Sequence, residues 1–445
     1  MATKRALLRV LGLGFGVAIL VGGTVGVGIM RTSGETAGRL VEPWLIYTVW
    51  AGMGLFVLIA ANTLAELATA IPQAGGPYVY VHRAFGDYLG FVSGWGDLSI
   101  QVLASGFLAI AAAEFLAELW PGLAGHAKPL AAALLFLFSG LHTIGVRASS
   151  ASQQLLSVAK VLMLAALVYA AFAHPGLAAA APATGLGAVA LPAAGFVAIV
   201  VSMQTVLEVY GGYDSSCYFT EETTDQGRTV PRALFAGVLV VIVIYLAVNA
   251  ALLHLMSPAE LGHSRLAAAD ALERAYGPAA RRFVAVVALV ATLGVLNSTL
   301  LLSSRILLAL GRDGHFVSSS TRVSDSGVPV AGLWYCTAGS LVVALVGGFN
   351  TAYTAAAFLN ACNVLLCGLA LFVLRRREPS LERPFRALGY PLLPALGVAA
   401  SAVLLVVFVL GNTWPSLLAI GCVAGGYPVF LQARRHRARA SSSIK

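Results

Sequence analysis

The chain has 445 residues, 59% of them hydrophobic and 11% charged, with a mean hydropathy of +0.85 and a formal net charge of +9. That balance excludes a soluble globular domain and points to a polytopic membrane protein, because a hydrocarbon layer about 30 Å thick takes roughly 20 apolar residues per helical span. The surplus Lys and Arg fall in short runs beside apolar segments, which suits lipid headgroups and topology and excludes a nucleic-acid partner.

Twelve apolar stretches are long enough to span, at residues 9–30, 43–70, 84–115, 127–146, 152–173, 194–217, 231–255, 282–310, 329–347, 352–374, 388–411 and 414–432. They predict an all-α membrane protein with one permease-sized domain over residues 1–445, the loops at 174–193 and 256–281 being too short for a core of their own. The first stretch continues to transmembrane length instead of ending in a small-residue cleavage site, so it reads as a span. It is broken by Val21-Gly22-Gly23-Thr24-Val25-Gly26-Val27-Gly28, and the sixth is broken by Tyr210-Gly211-Gly212-Tyr213-Asp214. Unpaired backbone groups cost several kcal/mol in hydrocarbon, so such breaks survive only where protein or a wet cavity surrounds them.

Gly26 and Gly211 stand 185 positions apart and five spans separate them, which gives a five-plus-five repeat over 9–173 and 194–374 with two trailing helices at 388–432. The third and eighth stretches are both long and sit at equivalent places in their halves, as tilted scaffold helices do. Interrupted helices at matching positions are the trace of an inverted-repeat secondary transporter with a site near the midplane. With the N-terminus inside, alternate loops divide Lys and Arg as 19 inner, 7 outer and 2 (Lys160, Arg305) within spans. The bias puts both termini in the cytoplasm, led by Arg375, Arg376, Arg377, Arg383 and Arg386 and by the tail Arg434, Arg435, Arg437 and Arg439.

Three inner loops carry mixed charges: Glu66 running into Pro72, Gly75 and Gly76; Glu221 and Glu222 followed by Arg228 and Arg232; and Arg305 followed by Arg312 and Asp313. Surface pairs of modest energy among them would serve as a reversible latch across the inner mouth, the alternative being that they simply cap helices at the interface. The five cysteines lack paired or metal-ligand spacing, and no metal or cofactor is implied. No His or Asp dyad lies at depth to support an intramembrane enzyme, and repeated pore-lining rings that would mark a channel are absent.

Gly26-Val27-Gly28-Ile29, Glu66 through Pro72, Gly75-Gly76 and Tyr78, and Phe85-Gly86 with Gly90-Phe91 and Gly94-Trp95 occur in order. Tyr210-Gly211-Gly212-Tyr213 with Glu221-Glu222 and Pro231-Arg232, and Asn297-Ser298-Thr299-Leu300 with Ser303-Ser304-Arg305, complete the set. At these residues the chain resembles the amino acid, polyamine and organocation (APC) superfamily of permeases over nearly its whole length, and the L-type amino acid transporter branch in particular. The resemblance implies the LeuT-like fold with broken helices 1 and 6, and a multi-pass carrier of the cell membrane that moves amino acids with protons or by exchange. The alternative is a polyamine or organic cation carrier on the same fold. Some relatives bind a glycoprotein through an outer-loop cysteine; none of the five cysteines falls in a predicted outer loop, so that partner is not expected.

For a substrate with an α-carboxylate and an α-amine, the free N–H groups of Val27, Gly28 and Ile29 at a helix start suit the carboxylate. Carbonyls at Gly23, Thr24 and Glu208 to Gly211 suit the ammonium, and the candidate binding set is Gly23, Thr24, Val25, Gly26, Val27, Gly28, Ile29, Glu208, Tyr210, Gly211 and Asp214. An ammonium inside the fifth span is expensive and so functional by default. The resemblance implies that Lys160 occupies the place of a coupling cation, touching carbonyls near Gly23 to Val25 and the hydroxyl of Ser298 or Thr299; those hydroxyls also keep a sodium site open. Glu208 stands where many relatives carry an aromatic lid, and three roles are open to it and to Asp214: reading a cationic substrate group, exchanging protons, or pairing with a neighbouring helix. Asp97 and Gln101, at i and i+4, share one helix face and read as structural hydrogen-bonding partners, with a place on the cavity wall as the alternative; Trp95, Tyr213 and Tyr218 are candidate pocket aromatics that read first as packing or interfacial residues.

Overall fold

The computed structural model describes residues 7–176, 193–346, 349–411, 413–432 and 434, so the tail arginines Arg435, Arg437 and Arg439 and most of the 174–193 loop lie outside the described residues. Sixteen α-helices run in order: α1 Leu13–Thr24, α2 Gly28–Leu40, α3 Pro43–Ala70, α4 Pro77–Phe85, α5 Asp87–Leu119, α6 Ala127–Ile144, α7 Val146–Ala173 and α8 Ala193–Val209. After a short 3₁₀ stretch, Ser215–Glu222, come α9 Gln226–Leu255, α10 Pro258–His263, α11 Ala267–Tyr276, α12 Pro278–Arg312, α13 Val330–Val346, α14 Phe349–Arg377, α15 Leu392–Gly411 and α16 Thr413–Gly425. Eight of the described helices are long and apolar enough to cross a bilayer, and α1 with α2 forms a further bent pair, turned by 46° at its break.

The two glycine clusters end helices where expected, but hydropathy misplaced the elements around them. The first stretch was bounded at residue 30, whereas helix resumes at Gly28 and continues to Leu40 with Arg31, Glu35 and Arg39 on it. The sixth was bounded at 217, whereas α8 stops at Val209 and Ser215–Glu222 follows as a tight 3₁₀ segment. In both places the helix beyond the break is polar because it faces a cavity and charged partners, which a hydropathy window reads as loop.

α5 and α12, the two longest helices at 33 and 35 residues, lie along one another, α3 packs on α9, and α1 sits between α9, α7 and α12. Close approach is bought with small residues: a Cβ on Gly16 would stand 2.7 Å from that of Ala233 on α9, and one on Gly237 would stand 2.7 Å from Leu20 on α1. Such stripes let helices pack where apolar solvent gives no drive to associate.

At one end the mixed-charge loops do pair. Arg312 donates to both oxygens of Glu221 (2.6 and 3.0 Å), and Arg305 donates to both oxygens of Glu222 (3.0 Å each). The expectation of weak surface pairs fails for the second: Glu222 and Arg305 are 0% and 1% exposed, and the Arg305 guanidinium also lies 4.9 Å over the Phe219 ring. Breaking a pair this deep costs several kcal/mol, against less than about 1 for a surface pair. The same end is tied by Ala74 N–H to Glu221, by Thr220 Oγ1 to the Gln73 carbonyl, and by Leu11 ahead of α1, which exchanges backbone hydrogen bonds with Glu222 and Thr224. Gly76, at φ +61°, turns the chain directly against the Tyr218 ring, where a Cβ would come within 2.6 Å.

Candidate functional site

The breaks meet. Gly212 adopts φ +89°, a conformation that L side chains rarely adopt, and a Cβ there would stand 2.8 Å from the Gly23 carbonyl oxygen. The Tyr245 hydroxyl of α9 lies 2.9 Å from the Thr24 carbonyl and 2.7 Å from that of Val209, so one phenol ties the last turn of α1 to the last turn of α8. Gly211 N–H closes back on the Glu208 carbonyl at 2.9 Å, and Ser215 Oγ donates to the Gly212 carbonyl at 2.5 Å. At the start of α2, Met30 and Arg31 N–H turn back to the Val27 carbonyl, while the N–H groups of Gly26, Val27, Gly28 and Ile29 donate to no backbone acceptor among the described residues.

Behind the first break α7 presents a polar stripe, Gln153, Ser157 and Lys160, at helical spacing toward the α1 backbone. Gln153 Nε2 and Ser157 Oγ reach the Ala18 carbonyl at 3.3 and 2.7 Å, and Asn297 Nδ2 of α12 donates to Gln153 Oε1. Lys160, 0% exposed, donates to the carbonyls of Gly22 (2.8 Å), Val25 (2.7 Å) and Ala291 (3.2 Å). The expected carbonyl contact at the break is present, but the expected hydroxyl contact is not. Ser298 Oγ is buried without a partner among the described residues, and Thr299 Oγ1 takes a bond from Ser105 and donates to the Leu296 carbonyl. The physical reason is register: Ala291 lies two turns before Ser298, about 10 Å along the helix. Gly294 leaves the room the ammonium needs, since a Cβ there would stand 2.6 Å from Nζ.

In front of the breaks lies a cavity of about 1050 Å³. Of the predicted residues, Gly23, Thr24, Gly26, Val27, Gly28, Glu208, Gly211, Asp214, Ser298 and Thr299 line it. Val25, Ile29 and Lys160 do not; they stand fully buried behind the wall. Tyr210 is also behind it, its hydroxyl donating to the Trp50 carbonyl at 3.1 Å. The cavity reaches the surface along α2 and α5, past exposed Arg31, Arg39, Glu114 and Glu118. Its other end is closed by the ion-paired segments around Glu221 and Glu222.

Residues that sequence reasoning assigned to structure also line this cavity. Asp97 and Gln101 of α5 face it, with Tyr218 Oη donating to Asp97 Oδ2 at 2.7 Å and lying 3.3 Å from Asp214 Oδ2. Asn360 and Asn363, one turn apart on α14, face it from the opposite side, Asn363 accepting from Ser93 at 2.7 Å. A pair of asparagines at i and i+3 in an apolar helix was the signal available for them. His142 is buried against Ser149, and His254 bonds the His174 carbonyl; neither lines the cavity.

A family model described as amino acid permease matches residues 10–426. Among curated proteins, the chain is similar to the Asc-type amino acid transporter 1 of Mus musculus, 27% identical over 96% of this chain and 81% of the relative. It is similar to a serine/threonine exchanger of Bacillus subtilis (strain 168), 24% identical over 97% of this chain and 98% of that one. It is also 28% identical to the large neutral amino acids transporter small subunit 2 of Homo sapiens, over 86% of this chain and 72% of the relative.

Proposed function

The chain belongs to the amino acid permease family, and from that premise we propose that it is a secondary transporter that carries amino acids across the cytoplasmic membrane, by exchange or coupled to protons. The names of its relatives are those of amino acid transporters and exchangers, which favours amino acids over polyamines. They differ among themselves in the amino acid named, so the class and not the individual substrate follows. The observation that carries the reading is the meeting of the two helix breaks at a cavity wall, with backbone N–H groups at the start of α2 left for a ligand.

In this reading the α-carboxylate docks on the N–H groups around Val27 and Gly28, where the start of α2 adds the positive end of its dipole. The α-ammonium takes free carbonyls at Gly23 and Gly211. Lys160 is the fixed cation of the site: held by carbonyls from α1 and α12, it supplies the charge that a bound ion would otherwise bring, and it is the group positioned to release and regain a proton. Adding the shorter apolar helices Gly195–Val209, Val330–Val346 and Ser416–Gln432 to the eight long ones and the bent pair gives twelve spans. An inverted repeat is supported by the pairwise packing of equivalent elements, α3 on α9 and α5 on α12, and by the crosswise packing of the two broken helices, α1 on Ser215–Glu222 and α2 on α8. With both termini cytoplasmic, the cavity faces outward and the Glu221 and Glu222 pairs close the inner side.

The test is uptake into proteoliposomes of a panel of labelled amino acids and polyamines, with internal counter-substrate, a pH gradient or a sodium gradient imposed in turn. Amino acid accumulation driven by counter-substrate or an inward proton gradient, and indifferent to sodium, is expected. A strict sodium requirement, or transport of polyamines alone, overturns the reading.

A further inference from the structure

Three carboxylates line the cavity beyond its mouth: Asp97 on α5, Glu208 at the end of α8 and Asp214 beyond the second break. Among the described residues no Lys or Arg stands with them. The arginines of the cavity lie toward its opening, where Arg31 and Arg39 pair with Glu35, and Arg281 with Asp270 and Glu273. Lys160 is behind the wall with its ammonium on three carbonyls. The Glu208 carboxylate has no hydrogen bond or ion pair among the described residues. Between Asp97 and Asp214 stands one phenol, Tyr218, whose single hydrogen satisfies one carboxylate at a time.

We infer that this face of the cavity is a subsite for a cationic amino acid side chain, an ammonium or guanidinium seated between Asp97 and Asp214 with Glu208 nearby. The inference rests on the amino acid transport reading and sharpens it. A zwitterion brings no net charge, and the helix breaks already offer partners for both of its ends. The acids are therefore surplus to α-carboxylate and α-ammonium recognition, and carboxylates this deep are costly unless a cation or a proton joins them. Asp97 is only 3% exposed. A second, independent feature points to a polar ligand: Thr24 Oγ1 and Ser298 Oγ, both in residues of the same cavity wall, are buried and have no hydrogen-bond partner among the described residues. Buried hydroxyls are nearly always satisfied, and a bound substrate is what completes these two.

The experiment compares lysine with norleucine, which has the same carbon chain without the terminal ammonium, as competitors of labelled lysine on the purified full-length protein, alongside exchange of neutral amino acids in proteoliposomes. Lysine is expected to bind at least tenfold more tightly than norleucine, and Asp214→Asn to bring that ratio near one. Asp97→Asn is the second variant, and the wild-type ratio decides by itself if neither folds. Equal affinity of wild-type protein for lysine and norleucine overturns the subsite. So does a variant that keeps the ratio but loses its response to a pH gradient, because the pair is then a proton site. Exchange of neutral amino acids with no lysine preference would sink this inference alone; exchange of no amino acid would sink the transport reading beneath it.

Discussion

Replacing Lys160 by alanine removes the donor shared by three backbone carbonyls. Hydrogen bonds from a charged donor contribute about 1.5–3 kcal/mol each, and Nζ makes three, at 2.7 to 3.2 Å. Against their loss stands relief from burying an ammonium, itself several kcal/mol, so what remains is the cost of carbonyls left unpaired, about 1–3 kcal/mol each and a few kcal/mol in all. Two of the three carbonyls, of Gly22 and Val25, flank the break, so the first effect is on the shape of the site. The variant is expected to assemble, to melt at lower temperature than the wild type, and to lose concentrative uptake in proteoliposomes. Lys160→Met, which keeps the volume, should behave alike. Gly294→Ala should follow in part, because its Cβ would sit 2.6 Å from Nζ and 2.7 Å from Cε. Wild-type uptake and melting in Lys160→Ala would refute the assignment of the ammonium as the keystone of the first break.

Other outcomes follow from the same contacts. Gly212→Ala puts a side chain at φ +89° and 2.8 Å from the Gly23 carbonyl; a loss of about 1–3 kcal/mol from strain and of transport is expected, and an active, equally stable variant would mean the breaks are not pressed together. Glu222→Gln leaves the Arg305 guanidinium buried without its partner, at a cost of about 3–5 kcal/mol read by thermal unfolding; replacing both by apolar residues of matching size should recover most of it. In the loop helix α10, the Ser257 backbone N–H, then Arg274, hold the Glu260 carboxyl down at about 2. A lowered carboxylate contributes stability fully above its ordinary pKa, here 4.5, and loses it only as pH falls toward about 2. Melting should therefore lose its Glu260 contribution only below pH 4.5, and Arg274→Ala, which removes the second of these partners, should move that loss to higher pH.

Much of this site was written in residue types that have few structural options. A cluster of glycines in an apolar run reads as a break, and a lysine about seven residues from the nearest end of a span reads as facing protein; the helices do end at both clusters and Lys160 does lie buried on backbone carbonyls. Its partner on α12 was not legible, because which turn of α12 lies opposite Lys160 depends on the crossing of two long helices, and spacing within one helix carries no information about that. Asp97 illustrates the same limit from the other side. An acid with a glutamine one turn on reads equally as a structural pair or a cavity wall, and only the arrival of Tyr218 from the far side of the second break decides it. Arg31, Glu35 and Arg39 hid the second half of the first helix, since polarity facing a wet cavity and polarity in a loop give one hydropathy profile.

The claim on which the rest depends is that bare peptide groups at both breaks hold the substrate. Hydrogen–deuterium exchange of the reconstituted protein, followed in peptides covering residues 21–29 and 208–214, reads those groups directly. Adding at saturation an amino acid that the protein exchanges should slow exchange in both peptides together. Unchanged exchange in both, while transport of that amino acid proceeds, would place the substrate elsewhere and contradict the account.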